Sequence, residues 1–269
     1  MRDFQRDTAV SGGDGHYSAT LAEGWDIWGP QGGYVAAVAL RAAGAAGSFP
    51  RPASLACHYL RPAQPGSVEI EVESLRRARR AESLRVTLTQ EDAPIFAAVV
   101  WVVAELVGVD HHAVAAPVAP PPEELRPWDE LLPEGEPRFP FWRNLDVRPV
   151  APNPFGWGQA AAPRFLVWQR LRARPLLEDP VVDAGRMMVS ADSTMYPAAM
   201  LGQPRPFPYV APSMDLVMSF HAAGAGSEWL LLDAVSPLAE GGLVAGRALI
   251  WSEDGRLLAS AMQQMLQRT

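Results

Sequence analysis

Asp192, Ser213 and Gln263 could bring a carboxylate, a hydroxyl and a carboxamide to one reaction. Asp192 lies between Met187-Met188-Val189 and Met195-Tyr196. Apolar surroundings of that kind raise a carboxylate's pKa and make it a stronger base, provided it stays ionised at working pH. Taken singly, each residue also has a plainer reading. Asp192 could cap a helical segment starting at Ser193, and Ser213, following Pro212, could serve a turn at a strand start. Gln263, in Ala261-Met262-Gln263-Gln264-Met265-Leu266, could lie on the open face of an edge strand. Successive strand side chains alternate, so only one of Gln263 and Gln264 can face a site.

A repeat favours the chemical reading. Pro65-Gly66-Ser67-Val68-Glu69-Ile70 reappears as Ala225-Gly226-Ser227-Glu228-Trp229-Leu230, and Glu91-Asp92-Ala93-Pro94-Ile95-Phe96-Ala97 as Glu253-Asp254-Gly255-Arg256-Leu257-Leu258-Ala259, at a shift of about 161 residues. One supersecondary unit therefore occurs twice. Tyr34-Val35-Ala36-Ala37-Val38 matches Tyr196-Pro197-Ala198-Ala199-Met200 near the same shift, which sets Asp192, Ser213 and Gln263 opposite Pro30, Pro52 and Trp101. The polar trio belongs to the second copy; the first is expected to be catalytically degenerate.

Other polar groups are weaker candidates. Gly32, Gly33 and Tyr34 stand at the mouth of a helix, where backbone amides can approach a substrate carbonyl or phosphate. Arg76 and Arg77, in a cluster with Arg79 and Arg80, could meet phosphates or form a solvated hairpin end. His58 and His221 fall near corresponding positions of the two copies; histidine on an apolar strand is more often a core residue than a catalyst. His111 and His112 are adjacent and point apart, so no metal site is expected. Trp25, Trp28, Met187, Met188 and Met195 could line an apolar channel or simply fill the core.

Composition narrows the function classes. At 269 residues and 48% hydrophobic, the chain can bury a sizeable core. A net charge of −7 argues against nucleic acid as a partner. No lysine occurs, which excludes Schiff-base and Walker-type lysine chemistry. Cys57 is the sole cysteine, so no intrachain disulfide or thiolate cluster is expected. No apolar run is long enough for a membrane span and the N-terminus has no apolar signal core, so the expectation is a cytoplasmic protein without a membrane partner. No Gly-x-Ser-x-Gly elbow is present, against a serine nucleophile on an α/β-hydrolase plan.

Along the backbone, residues 16–21 read as a strand and 34–46, nearly all apolar, as a buried helix. Strand-like runs follow at 54–60, 68–75, 84–90 and 95–106, broken by turn-forming segments. A proline- and acid-rich connector spans 107–163, and its Trp128, Phe139, Phe141, Trp142, Phe155 and Trp157 predict that it packs against the fold. The second copy opens with a strand at 164–171. Pro180 starts a helix running through Met188, with Asp192 and Met200 further along. Strands follow at 214–221, 229–235, 243–251 and 257–266. The division is thus 1–106, connector 107–163, and 164–269.

These motifs resemble the acyl-CoA thioesterase II (TesB-like) family. In the second half the resemblance rests on Ser190-Ala191-Asp192, Pro197-Ala198-Ala199, Ser213-Met214-Asp215, Phe220-His221, Glu228-Trp229-Leu230-Leu231, Asp254-Gly255, Leu258-Ala259-Ser260 and Gln263. In the first it rests on Gly32-Gly33, His58-Tyr59-Leu60-Arg61-Pro62 and Pro94-Ile95-Phe96. The resemblance implies an α+β double hot dog, two tandem units of a long helix wrapped by a curved antiparallel sheet. It also implies thioester hydrolysis of an acyl-CoA substrate without a cofactor. Asp192 would be the general base towards a water that Ser213 and Gln263 orient; serine stands where the family also uses threonine. Gly32, Gly33, Tyr34, His58, Arg76 and Arg77 are the candidate substrate-binding residues. The competing expectations are a non-catalytic acyl-CoA binding protein and, with less support, a hot-dog hydratase or dehydratase, since Asn153-Pro154 lacks that class's flanking Gly-Asp and histidine. Two fused units already supply the pairing of a hot-dog dimer, and open sheet edges leave room for a homodimer or higher homo-oligomer.

Overall fold

A computed structural model describes residues 2–105, 107–132, 134, 138–151, 162–174, 176–201, 203, 209–224, 226–268. After a short helix, α1 (Phe4–Asp7), come strands β1 (Ser11–Gly13) and β2 (His16–Leu21), helix α2 (Gly32–Ala46), and strands β3 (Arg51–Tyr59), β4 (Gly66–Arg77), β5 (Ala81–Gln90) and β6 (Ala93–Val103). The middle of the chain adds α3 (Trp128–Leu131) and β7 (Leu145–Pro149). The series then repeats as β8 (Arg164–Leu171), helix α4 (Pro180–Met200), β9 (Asp215–Phe220), β10 (Leu230–Glu240), β11 (Leu243–Trp251) and β12 (Leu257–Leu266).

The strands form one antiparallel sheet in the order β1-β2-β4-β5-β6-β3-β9-β12-β11-β10-β8-β7. The two units join at β3 and β9, where Ser54 pairs with Ser219 and His58 with Asp215. Alternating burial along β4 to β6 and β9 to β12 gives the sheet one apolar face. The two long helices pack on that face and against each other. This is the α+β double hot-dog arrangement.

Glycine makes the helix crossing close. A Cβ on Gly33 of α2 would stand 2.5 Å from the Met188 carbonyl oxygen and 2.7 Å from Val189 Cα of α4. On the other helix, a Cβ on Gly185 would come within 3.1 Å of the Ala37 side chain. Most of α2, from Tyr34 to Ala43, is shut away from solvent, because its alanines and valines fit between sheet and partner helix. α4 begins at Pro180 behind the cap Asp179, whose carboxylate accepts from the Val181 and Val182 amides.

The structure excludes two of the plainer readings and corrects one expectation. α4 is one helix through Asp192, so this residue is not a cap before Ser193. β12 lies between β9 and β11, so Gln263 is not on an edge strand. Its side chain faces inward at 3% exposure, while Trp101 turns outward at 37%. The repeat register also fails for the helices. Counted from the helix starts, Gly32 and Pro180, Asp192 falls on Gly44 and not on Pro30; a Cβ on Gly44 would meet Val181 at 2.8 Å. The second unit has a longer helix and a longer segment between helix and next strand, so no single shift serves both helices and strands.

The connector does more than cross the surface: β7 pairs with β8, Leu145 to Leu171, and closes that end of the sheet. Trp128, Phe141 and Trp142 pack on the main core, as their aromatic character predicted. Leu106, Asn153, Pro154, Phe155 and Trp157 lie outside the described residues. Among the described residues, no helix is long and apolar enough to cross a membrane.

Candidate active site

Asp192 sits two-thirds along α4, where α2 begins beside it. Gln31 is the cap of α2: its side-chain oxygen accepts from the Tyr34 amide at 2.8 Å, satisfying one of the free donors at the helix start. The same side chain turns its NH2 group to α4. It donates to Asp192 Oδ2 at 2.5 Å and to the Val189 carbonyl at 3.4 Å. The Gly33 amide donates to the same carboxylate oxygen at 3.0 Å. The positive end of α2 therefore faces the carboxylate, an arrangement that favours negative charge.

The other carboxylate oxygen is held from the sheet. Ser213, just before β9, donates its hydroxyl to Asp192 Oδ1 at 2.9 Å. It is placed there by a bridge to Met265 and by the Met214 amide, which donates to the Gln264 carbonyl at 2.8 Å. Gln263 of β12 donates to Asp192 Oδ1 and, at 2.6 Å, to Ser213 Oγ. Gln264 faces away, with its amide donating to Asp215 Oδ1 at 2.8 Å. The alternation along β12 thus delivers one glutamine to the site and excludes its neighbour.

Burial pushes the Asp192 carboxyl above its ordinary pKa, against the hydrogen bonds from Gly33, Ser213, Gln263 and Gln31, which pull it down. The carboxylate is packed in protein on most sides and opens on a cavity of about 570 Å3. Asp192, Ser213 and Gly32 line that cavity, whereas Gln263 stands behind the first two. The rest of the wall is largely apolar. Trp28 and Tyr196 meet edge to face with centroids 5.4 Å apart. Connector residues Trp128, Phe139 and Trp142 complete one side. Arg61 and Arg268 also line it and remain exposed.

The structure brings Asp192, Ser213 and Gln263 into one hydrogen-bonded cluster, with Gly32 and Gly33 beside it. Other sequence candidates stand elsewhere. Tyr34 turns into the core of the first unit, where its hydroxyl donates to the Asp7 carbonyl at 2.7 Å and accepts from the Ala22 amide at 3.0 Å; its ring stacks on Trp25. His58 is on the outward face of β3, so the cavity receives its neighbour Tyr59. Arg76 and Arg77, exposed at the end of β4, are not among the residues lining the cavity. Among the described residues, no group of three or more His, Cys, Asp or Glu is placed to hold a metal.

Sequence reasoning missed Gln31 and Tyr59. Gln31 directly precedes the Gly32-Gly33 helix start, the position from which a cap reaches back into its helix. Tyr59 follows from strand alternation once His58 is outward.

Comparison with known proteins points one way. Residues 21–103 match the family model for the acyl-CoA thioesterase N-terminal domain, and residues 118–267 that for the acyl-CoA thioesterase C-terminal domain. Human acyl-coenzyme A thioesterase 8 is 28% identical over 229 residues, 78% of this chain and 71% of that protein. The acyl-CoA thioesterase II TesB2 of Mycobacterium marinum superposes with a TM-score of 0.81 at 25% identity, covering 99% of this chain and 98% of that one. A hot-dog protein of unknown function from Alicyclobacillus acidocaldarius aligns at a TM-score of 0.85 and 21% identity over 100% of this chain and 99% of its own.

Proposed function

Because the chain belongs to the acyl-CoA thioesterase family, and so is a thioester hydrolase, we propose that Asp192, Ser213 and Gln263 are the groups with which it hydrolyses acyl-CoA. The observation that carries this reading is the carboxylate of Asp192, buried and facing a cavity together with a hydroxyl.

Hydrolysis needs a water made nucleophilic and placed about 3 Å from the thioester carbonyl carbon. In this reading the water rests against Asp192 and Ser213. Asp192 takes a proton as the water oxygen attacks, and the tetrahedral intermediate expels the CoA sulfur, which leaves with the proton held by Asp192. Gln263 does not reach the cavity; it locks Ser213 and Asp192 in one geometry by donating to both. The raised pKa fits the role, since a more basic carboxylate accepts a proton from water more readily. The apolar aromatic wall suits an uncharged acyl group, and Arg61 and Arg268 suit the phosphates of coenzyme A.

The test is thiol release from a panel of acyl-CoA esters. Asp192→Asn is expected to lower kcat by about 10²- to 10⁴-fold, the usual weight of a general base. Binding of acyl-CoA with no thiol release from the unsubstituted protein, across short, medium, long and aromatic acyl groups, would assign it to sequestration instead.

A further inference from the structure

The thioester reaction needs a second thing besides a base: a donor for the carbonyl oxygen as it becomes negative. Around Asp192 four donors are already spent on its carboxylate. Gln31 and the Gly33 amide donate to Oδ2, and Ser213 and Gln263 to Oδ1. Tyr59 is different. Its ring lines the cavity, while its hydroxyl is closed off from water and meets no hydrogen-bond partner at bonding geometry, the Cys57 thiol two residues away being the group that interacts with it. A buried hydroxyl left unpaired costs stability, so its retention calls for an explanation.

Its position supplies one. The place that a Cβ on Gly32 would occupy is 3.0 Å from the Tyr59 oxygen and 3.1 Å from Asp192 Oδ2. Hydroxyl and carboxylate thus flank the same glycine, which has no side chain to come between them. The ring is fixed from behind by Phe96, edge to face at 5.5 Å, and from the backbone by the Tyr59 amide, which donates to the Met214 carbonyl at 2.9 Å, next to Ser213.

We propose that Tyr59 is a further catalytic residue, whose hydroxyl donates to the thioester carbonyl oxygen while Asp192 activates the water. The proposal rests on the assignment of Asp192 as base. As the water oxygen bonds to the carbonyl carbon, the C=O π pair moves to oxygen and is held by the Tyr59 O–H. The pair returns when the C–S bond breaks, and the phenol keeps its proton throughout. Burial, with the Asp192 carboxylate nearby, pushes the Tyr59 phenol well above its ordinary pKa, which keeps it a donor at every working pH. Distances of this kind tighten when substrate is bound.

Tyr59→Phe removes the hydroxyl and keeps the ring. Thiol release should show kcat lowered about 10²-fold, the weight of one such donor, with KM for acyl-CoA within about twofold and a melting temperature equal or higher. A kcat within about twofold of the unsubstituted enzyme overturns the proposal. So does a loss carried by KM alone, or a melting temperature that falls along with activity, which would make the hydroxyl structural. Asp192→Asn, assayed alongside, separates the two claims. If it is inactive and Tyr59→Phe is not impaired, only the role of Tyr59 falls; if Asp192→Asn turns over normally, the base assignment falls and takes this proposal with it.

Discussion

The side-chain amide of Gln31 donates to Asp192 across 161 residues of chain, from the cap of one unit's helix to the middle of the other's. The half that lacks the polar trio therefore still builds the site. It supplies two of the four donors that hold the carboxylate, and the cap that aims a helix start at it.

Replacing Gln31 by leucine should shift the pH dependence of hydrolysis. Gln31 is one of the donors that counter the effect of burial on Asp192, so without it the carboxyl pKa rises further. The base works only when ionised. The acid limb of kcat/KM should therefore move to higher pH, with activity lost on the acid side and recovered as pH rises. The stability sign is independent of activity: with a folded pKa above the unfolded one, the Asp192 contribution is complete at low pH and is lost as pH rises through the folded value. An unmoved acid limb, measured from pH 4 to 9, would disconnect Gln31 from the base.

Gly33→Ala should cost both fold and function. Its methyl would meet Met188 backbone atoms at 2.5 and 2.9 Å, which neither helix can relieve by turning a side chain. The helices must separate, at roughly 1–3 kcal/mol by the usual cost of overpacking, and the Gly33 amide leaves Asp192. Urea unfolding and thiol release, measured together, should both decline.

Trp142→Ala should change which acyl groups are preferred more than how fast they react. Trp142 reaches the cavity from the connector, packed on Phe141 at 4.9 Å and Trp128 at 5.8 Å. It is not among the groups that hydrogen-bond to Asp192. Its loss should raise KM for longer acyl chains about tenfold, in the range of 1–3 kcal/mol for an apolar pocket contact, with kcat little changed. Equal effects on acetyl and long-chain esters would count against this wall as a specificity element.

Arg186→Met tests the support beneath the site. Arg186 and Asp183 form an ion pair that is 1% exposed on each side. Arg186 also donates to the carbonyls of Ser227 and Gly224 at 2.9 and 3.2 Å, and Asp183 accepts from the Gly224 amide at 2.8 Å. Removing the guanidinium strands a buried carboxylate and should destabilise the protein by about 3–5 kcal/mol. Changing both residues to apolar ones should restore much of that loss, as read by thermal unfolding.

The succession of strands and helices in each unit and the apolar helix after Gly32-Gly33 were legible in the amino-acid order, whereas Asp192, Ser213 and Gln263 were singled out by the family resemblance. The elements depend on local signals: alternation, an unbroken apolar run and turn residues. Which residues face one another was decided only by the tertiary structure. His58 and Tyr59 differ by one position and by a whole sheet face. No constant shift serves both helices and strands, because α4 is longer than α2 and a longer segment follows it. Gln31 meets Asp192 because Gly33 and Gly185 let two helices cross at backbone contact, and the distance between such helices is set by packing against a shared sheet, which spacing along the chain does not encode.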